Sequence, residues 1–205
     1  GTYGAAAVAA GGEVLLRGIC PSDLKVPLEE FQKAGAAVEA DEKNRQIRIC
    51  MGKRPLPLLI KTEPYPGFPT DAQAPLMAAA LRADGTTVFT ETIFQNRYRH
   101  VSEMARMGAR VRTEGKVAIV TGVPRLHGAS VRCTDLRGGA ALCAAALAAE
   151  GQSVIAEIHH IERGYEHLDE SLRQLGANIT RSDHETEAEE TQTEQPTTSE
   201  EGAGA

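Results

Sequence analysis

The chain has 205 residues, of which 41% are hydrophobic and only 4% aromatic, so a folded core must come mainly from Ala, Leu, Ile and Val. Its net charge of −6 comes from the C-terminus, since residues 182–205 contain eight acidic residues and no Lys or Arg. The rest of the chain is almost neutral, and no apolar run approaches the roughly 20 residues of a membrane span. We therefore expect neither a nucleic acid nor a membrane as a partner.

An internal repeat organises the chain. Three short buried strands are predicted just after Ala-rich stretches, at residues 12–16, 85–89 and 151–155. The helices that follow these strands are predicted to end at left-handed glycines, namely Gly35, Gly108 and Gly176. Each of these glycines follows the glycine at the start of its strand by 23, 23 or 25 residues. This spacing indicates an internal repeat of roughly 65–73 residues.

The complete unit is predicted to run strand, helix, strand, helix, strand, strand. Its opening strand leads to a Thr-Asp pair at the start of a helix, Thr70-Asp71 in the second unit and Thr134-Asp135 in the third. Thr70 and Gln73 are predicted to form a T-x-x-Q capping box at that helix start.

The repeats form one predicted domain over residues 1–181. They are placed at about residues 1–52, 56–122 and 129–181. The first unit lacks its opening strand and the third lacks its last one, so we expect a strand near Ile179 whose open edge pairs with a segment outside this chain. The acidic tail, residues 182–205, has almost no apolar side chains and is predicted to be disordered.

The cysteines favour a cytoplasmic protein. Cys20, Cys50, Cys133 and Cys143 show no C-x-x-C spacing. Unpaired cysteines are typical of a reducing compartment, and we expect no metal site and no cofactor.

Several runs at the junctions between units combine into a specific set of motifs. They are FPTDAQ at residues 68–73, TETIFQNR at 90–97, HVSEM at 100–104, TDLR at 134–137 and IERGYE at 161–166. Together they resemble the UDP-N-acetylglucosamine 1-carboxyvinyltransferases, a family of enolpyruvyl transferases, over about residues 1–181. The resemblance implies an α/β fold in which the three repeats form an inside-out α/β barrel, with Ala-rich helices inside and sheets outside.

The resemblance also implies a reaction. The family transfers the enolpyruvyl group of phosphoenolpyruvate to the 3-hydroxyl of UDP-N-acetylglucosamine, which commits material to peptidoglycan. Its active site lies between two domains, and its reactive cysteine (aspartate in some members), a phosphate-binding lysine and another arginine are on the other domain. None of the cysteines of this chain lies in a matching context, so we expect a fragment that needs an N-terminal domain and is inactive alone.

The site residues follow from the same resemblance. Asp71 matches the general base that meets the sugar 3-hydroxyl, although its position alone is more typical of an acid that favours the helix dipole. Arg163 matches an arginine that approaches phosphoenolpyruvate and is expected, with Gly164, just before a helix. Further positions are expected to contact substrate or assemble the site, namely Ile93 through its backbone, Arg97, Asp135 and Arg137. A capping role explains Asp135 equally well.

Two alternatives stay open. The shikimate-pathway enolpyruvyl transferase, 3-phosphoshikimate 1-carboxyvinyltransferase, shares the fold, but the runs at residues 90–97 and 162–165 favour the nucleotide-sugar enzyme. A non-catalytic scaffold, in which the repeat domain binds a partner through its open edge, is the alternative outside enzymes.

Overall fold

The structure is a computed structural model that describes residues 1–182, so the predicted disordered tail lies outside the described residues apart from Ser182. The α-helices are α1 Thr2–Ala10, α2 Lys25–Lys33, α3 Thr70–Ala80, α4 Val101–Arg106, α5 Leu136–Leu147, α6 His159–Glu162 and α7 Leu168–Gln174. The strands are β1 Glu13–Arg17, β2 Ala37–Asp41, β3 Gln46–Cys50, β4 Leu59–Lys61, β5 Thr86–Thr90, β6 Arg110–Glu114, β7 Val117–Thr121, β8 Leu126–His127, β9 Ser130–Arg132, β10 Ala149–Glu150 and β11 Val154–Ala156. A 3₁₀ helix, Pro21–Leu24, leads directly into α2.

Three Ala-rich helices form the centre of the core. Helices α1, α3 and α5 pack against one another, and residues 73–80 of α3 and 138–145 of α5 are all buried. A helix that is apolar on every side must be covered on every side. The small alanine side chains let the three helix axes approach closely, and the sheets cover the outer surfaces of the helices.

Each repeat contributes its own sheet. The second repeat forms a four-stranded sheet in the order β4-β5-β7-β6, in which only β4 and β5 run parallel. The first repeat forms the antiparallel sheet β1-β3-β2, and the third contributes the parallel pair β9 and β11. A separate parallel pair joins β8 to β10. In β7 the side chains of Ala118 and Val120 are buried, whereas Ile119 between them is 40% exposed, so one sheet face meets the core and the other meets solvent.

The α/β class predicted from the sequence is confirmed. Within residues 1–182 the sheets remain separate and no closed barrel is found, so the inside-out barrel stays a prediction. The third repeat differs from its prediction, because β11 begins only at Val154 and this side chain is 41% exposed. No strand forms near Ile179, whose carbonyl oxygen accepts a hydrogen bond from Arg173 Nε at 3.0 Å. The strand predicted near Ile179 is therefore not formed within the described residues, and its pairing with a segment outside them stays a prediction.

The predicted helix ends are confirmed in all three repeats. The residues Gly35, Gly108 and Gly176 have φ of 96°, 85° and 96°. Each lies one residue beyond a helix cap and closes the same pair of backbone hydrogen bonds. In the first repeat these run from the Gly35 amide to the Gln32 carbonyl and from the Ala36 amide to the Phe31 carbonyl. This is the Schellman arrangement, which needs a left-handed residue and therefore favours glycine.

The predicted capping box on α3 is wrong. Pro69 occupies the N-cap position and has no side-chain acceptor, so Thr70 is already helical. The Thr70 hydroxyl donates to Glu91 Oε2 at 2.9 Å instead of capping its own helix. Gln73 is fully buried among the central helices and does not reach back to the helix start.

Candidate functional site

The first turns of the three central helices are joined by one network of side chains. Asp71 is the second residue of α3, and Arg137 is the second residue of α5. Arg137 donates from Nη2 to Asp71 Oδ2 at 2.9 Å and from Nη1 to the Tyr165 hydroxyl at 3.0 Å. The Tyr165 hydroxyl also lies 2.8 Å from Oγ1 of Thr2, at the start of α1. Helix N-termini carry partial positive charge, so this end of the helical core favours anions.

Asp71 lies between two arginines. Its Oδ1 accepts a hydrogen bond from Arg97 Nη2 at 2.9 Å, while its Oδ2 accepts the one from Arg137. Partial burial alone would raise the pKa of Asp71, but the hydrogen bonds and positive charges of Arg137 and Arg97 together lower it below the ordinary value. The side chain is still 57% exposed, so a ligand can reach it. Because a carboxylate oxygen has two acceptor sites, each oxygen keeps one for a further donor.

A buried carboxylate organises the loop that carries Arg97. Glu91 directly follows β5 and is 1% exposed. Its Oε1 accepts hydrogen bonds from Thr62 Oγ1 at 2.9 Å and from the backbone amides of Ile93 and Phe94 at 2.8 and 3.1 Å. Its Oε2 accepts from Thr70 Oγ1 at 2.9 Å. The loop after β5 is thereby tied to the end of β4 and to the start of α3.

Arg97 is held by further contacts at the end of this loop. Its Nη2 also donates to the backbone carbonyl of Thr70 at 3.2 Å, and its guanidinium lies 5.4 Å from the ring centroid of Phe94. Ile93 is 37% exposed, and its amide is already used by Glu91. A ligand that met the Ile93 backbone would therefore contact its carbonyl oxygen.

Asp135 caps its own helix and makes no direct contact with Asp71. Its Oδ1 accepts hydrogen bonds from the amides of Arg137 and Gly138 at 3.0 and 2.8 Å, as an N-cap carboxylate does. The structure thus supports the capping role among the two roles the sequence allowed. Asp135 fixes the backbone from which Arg137 reaches Asp71.

Arg163 stands apart from this network. It is exposed at the C-terminal end of α6, and α7 begins only at Leu168, so the expectation that it lies just before a helix is wrong. Within residues 1–182 it makes no hydrogen bond or ion pair with the residues around Asp71. The structure therefore brings together Asp71, Arg97 and Arg137, with the Ile93 loop beside them, and leaves Arg163 free to meet a ligand.

Gly138 lets the chain that follows Arg97 approach α5, and Gly139 lets Ile161 and Cys133 pack against the same helix. A Cβ on Gly138 would lie 2.9 Å from His100 Cβ, and one on Gly139 would lie 2.7 Å from Ile161 Cγ1 and 2.9 Å from Cys133 Sγ. His100 is fully buried, and burial lowers its pKa to about 4, so the ring is neutral at neutral pH. The tight approach brings the chain that bears Arg97 against the helix that bears Arg137.

Three residues of the site had no assigned role in the sequence. Glu91 and Tyr165 stand inside the quoted motifs, but nothing in the sequence separates them from their neighbours. Thr62 carries no signal at all, since an isolated threonine after a strand is common. Only the fold shows that Tyr165 links the first turns of α1 and α5, and that Glu91 and Thr62 tie the loop after β5 to the strand and helix beside it.

The two buried cysteines and the possible metal ligands of the described chain form no second centre. Burial raises the pKa of both Cys133 and Cys143 to about 12, so neither is a thiolate at neutral pH. Across residues 1–182, His, Cys, Asp and Glu side chains do not gather into a group of three or more that could hold a metal ion. In the same part of the chain, every helix is too short or too polar to cross a membrane.

Comparisons with known proteins agree on one family. Residues 1–172 match the sequence model of EPSP synthase (3-phosphoshikimate 1-carboxyvinyltransferase). UDP-N-acetylglucosamine 1-carboxyvinyltransferases of Sphingopyxis alaskensis and Brucella ovis are 47% and 46% identical to the chain over 181 and 182 residues. These matches cover 88% of the chain but 42% of each relative, so the chain spans well under half of their length.

Solved structures share the architecture. The enolpyruvyl transferase NikO from Streptomyces tendae superposes with a TM-score of 0.75 at 25% identity, over 86% of this chain and 43% of that one. An EPSP synthase from Acinetobacter baumannii gives a TM-score of 0.66 at 19% identity, over 89% of this chain and 43% of that one, which shows the fold alone.

Proposed function

Because the chain belongs to the EPSP synthase family of enolpyruvyl transferases, we propose that it forms one side of an active site that transfers the enolpyruvyl group of phosphoenolpyruvate to the 3-hydroxyl of UDP-N-acetylglucosamine. The observation that supports this most is Asp71, an accessible carboxylate that two arginines hold at the first turns of α3 and α5. Relatives at 46–47% identity are named for this acceptor. In a cell the product would commit material to peptidoglycan and cell-wall synthesis, and we place the reaction in the cytoplasm.

Asp71 is proposed to accept the proton of the sugar 3-hydroxyl. In the transfer, the hydroxyl oxygen forms a bond to C2 of the enolpyruvyl group, the bond from C2 to the phosphate oxygen breaks, and the hydroxyl proton must leave. A base has to lie about 2.6–3.2 Å from that hydroxyl. The free acceptor sites on both Asp71 oxygens allow such a contact without displacement of either arginine.

The lowered pKa of Asp71 makes it a weak base, and the order of events compensates for this. A free sugar hydroxyl is far too weak an acid to lose its proton to an ionised aspartate. Once its oxygen has begun to bond to C2, however, the hydroxyl becomes strongly acidic, and a weak base suffices. Asp71 then acts first by orientation, as a hydrogen-bond acceptor held in place, and takes up the proton late in bond formation.

The arginines are proposed to act on anionic groups. Arg163 is exposed and not committed to the Asp71 network, so its planar guanidinium can pair with the carboxylate or phosphate of phosphoenolpyruvate. Arg97 and Arg137 are proposed to orient Asp71 and to border the nucleotide-sugar site. The backbone carbonyl of Ile93 is proposed to contact the ligand. Asp135 is proposed to assemble the site, as the N-cap of the helix that bears Arg137.

The other side of the active site is proposed to lie on another domain of the complete protein. That domain would supply the reactive cysteine or aspartate, the phosphate-binding lysine and a further arginine that the family resemblance implies. With the missing strands it would also complete the inside-out arrangement of helices and sheets over residues 1–181. We expect the 205-residue chain alone to bind weakly and to show no transfer.

The alternative acceptor is 3-phosphoshikimate, which the description of the matching family names. The two acceptors differ in kind, since one is a nucleotide sugar and the other a small phosphorylated ring acid. The higher identity to nucleotide-sugar enzymes favours the first, and the experiment below separates them.

A hybrid enzyme tests the proposal. Residues 1–181 would replace the matching segment of the Sphingopyxis alaskensis protein, and phosphate release would be measured with phosphoenolpyruvate and either acceptor. We expect turnover with UDP-N-acetylglucosamine, none with 3-phosphoshikimate, and none from the 205-residue chain alone. The unchanged relative is the positive control. Turnover with 3-phosphoshikimate instead would overturn the proposed acceptor, and transfer by the chain alone would overturn the proposed division of the site.

A further inference from the structure

Glu91 is a buried carboxylate that the proposed chemistry does not use. It is 1% exposed, and within residues 1–182 no Lys or Arg forms an ion pair with it. Four neutral donors surround it instead, two threonine hydroxyls and two backbone amides. Buried polar groups have to be paired, and a carboxylate is the side chain whose two oxygens can accept all four of these hydrogen bonds.

The donors to Glu91 connect both ends of the contact between Arg97 and Asp71. Thr70 precedes Asp71 and donates its hydroxyl to Glu91, and its backbone carbonyl accepts a hydrogen bond from Arg97. Phe94 donates its amide to Glu91, and its ring lies against the Arg97 guanidinium. One carboxylate therefore fixes the residue before Asp71 and the residue on which Arg97 rests.

The other repeats show that the fold itself does not require a buried carboxylate there. The residue that directly follows the corresponding strand is Gly18 after β1 and Glu157 after β11. Glu157 is 45% exposed, and its only ion pair in the described chain is with His159 Nδ1 at 3.4 Å. A buried carboxylate with four donors is thus particular to the repeat that holds Asp71.

We propose that Glu91 is a positioning residue, which holds Arg97 against Asp71 by fastening the loop after β5 to the start of α3. Its importance for turnover rests on the proposed function, whereas the positioning itself is a property of this chain and can be measured without any substrate. The readout is the pKa of Asp71, which reports directly on the presence of Arg97 beside it.

The test is a carboxyl-carbon NMR titration of Asp71 in the 205-residue chain, in Glu91→Gln and in the matched control Glu103→Gln. Glu103 is half-buried and also accepts a backbone amide, that of Arg132 at 2.9 Å, but within residues 1–182 its side chain forms no hydrogen bond with the loop after β5. If Glu91 positions Arg97, its replacement raises the pKa of Asp71, because Arg97 no longer stays paired. The loss of a nearby negative charge would by itself lower that pKa, so the two explanations predict opposite signs.

A double-mutant cycle shows whether Glu91 changes the pKa of Asp71 through Arg97. Arg97→Met removes the arginine and sets the largest rise that loss of Arg97 can produce. In that background, Glu91→Gln is expected to cause no further rise, since nothing is left for Glu91 to position. A pKa of Asp71 that is unchanged or lowered in folded Glu91→Gln, or that rises equally in both backgrounds, would overturn the proposal.

Thr70→Val keeps the test valid if Glu91→Gln does not fold. It removes only the hydroxyl bond to Glu91 Oε2, leaves the Thr70 carbonyl in place and changes no charge. A smaller rise in the Asp71 pKa is expected, again absent in the Arg97→Met background, and equal pKa values in Thr70→Val and the unchanged chain would overturn the proposal. Failure of the hybrid enzyme to transfer would leave this result untouched, so the two ideas fail separately.

Discussion

The second and third repeats begin their central helices with the same two residues, and the two pairs do different work. In Thr134-Asp135 the aspartate is the N-cap, and its carboxylate accepts two amides of its own helix. In Thr70-Asp71 the aspartate is already inside the helix, and its carboxylate faces two arginines from other parts of the chain. Thr134-Asp135 caps the start of its helix, whereas Thr70-Asp71 places a carboxylate against two arginines.

The difference arises from the chain around each pair. In the third repeat only Cys133 separates β9 from the Thr-Asp pair, so the aspartate has to turn the chain into the helix. In the second repeat residues 62–69 intervene, and Pro69 takes the N-cap position. Asp71 is thereby released from capping. The role of the Thr-Asp pair thus depends on the length and contacts of the segment that joins it to the preceding strand.

The largest expected effect separates the two aspartates in catalysis. In the hybrid enzyme, Asp71→Asn should lower kcat by about 10²–10⁴-fold, because a general base commonly contributes that much and an amide cannot take a proton. Asp135→Asn should leave kcat near normal, since asparagine is an equally good N-cap. Steady-state phosphate release measures both. A near-normal kcat for Asp71→Asn would show that Asp71 is not the general base and only stabilises the first turn of its helix.

Substitution of Arg163 tests whether the third repeat binds substrate in addition to its helix-capping role at Asp135. Arg163→Lys in the hybrid enzyme should raise the KM for phosphoenolpyruvate by about 10- to 100-fold, because loss of one charge-assisted hydrogen bond costs about 1.5–3 kcal/mol. The KM for the nucleotide sugar should change little, and separate titrations of the two substrates measure this. An equal rise in both would instead indicate a fault in folding or domain closure.

Gly138 shows how closely the two repeats approach. Ala74 occupies the matching place three residues after Asp71, yet Gly138→Ala should destabilise the chain by about 1–3 kcal/mol because its methyl would press on His100 Cβ at 2.9 Å. Gly12→Ala is the matched control, since nothing lies within 4 Å of its Cβ. Urea unfolding measures both. Equal unfolding free energies for Gly138→Ala and Gly12→Ala would show that the chain around His100 moves away from the added methyl group at little cost.

The capping role predicts a smaller loss at Asp135. Asp135→Ala should reduce the free energy of unfolding by about 1 kcal/mol, as loss of an N-cap usually does, while Asp135→Asn should restore most of it. Asp71→Asn should cost less than Asp135→Ala, because Asp71 caps nothing. Chemical denaturation of the 205-residue chain checks the order, and a larger loss for Asp71→Asn would contradict it.

The smallest expected effect is a pH dependence from Asp71. Its pKa is lowered in the folded chain, so its stabilising contribution is present above the pKa of an unfolded aspartate and is lost as the pH falls through the folded value. The difference in unfolding free energy between the chain and Asp71→Asn should therefore shrink between about pH 7 and about pH 2. It should be small throughout, since the side chain is 57% exposed and solvent screens its ion pairs. A difference that grows on acidification would contradict the lowered pKa.

Local rules made several features predictable from the sequence. The helix ends at Gly35, Gly108 and Gly176 were predictable because a left-handed residue after a helix needs glycine wherever it occurs. The sequential hairpin of β6 and β7 was predictable from the turn at Gly115 and the β-branched residues on both sides of it. Asp71 was found through a specific motif. Each of these signals lies within a few neighbouring residues.

The sequence by itself therefore determined the repeat and the α/β class, because backbone conformation and periodic burial are local properties, while the candidate residues came from its resemblance to a known family. Only the tertiary structure decided which carboxylate caps, which one faces the arginines and which one is buried. The donors to Glu91 include Thr62 and Thr70, 29 and 21 residues away, and Arg137 meets Asp71 across 66 residues. No short-range pattern encodes such meetings, since they depend on how three helices pack and how closely two glycines allow the chain to approach.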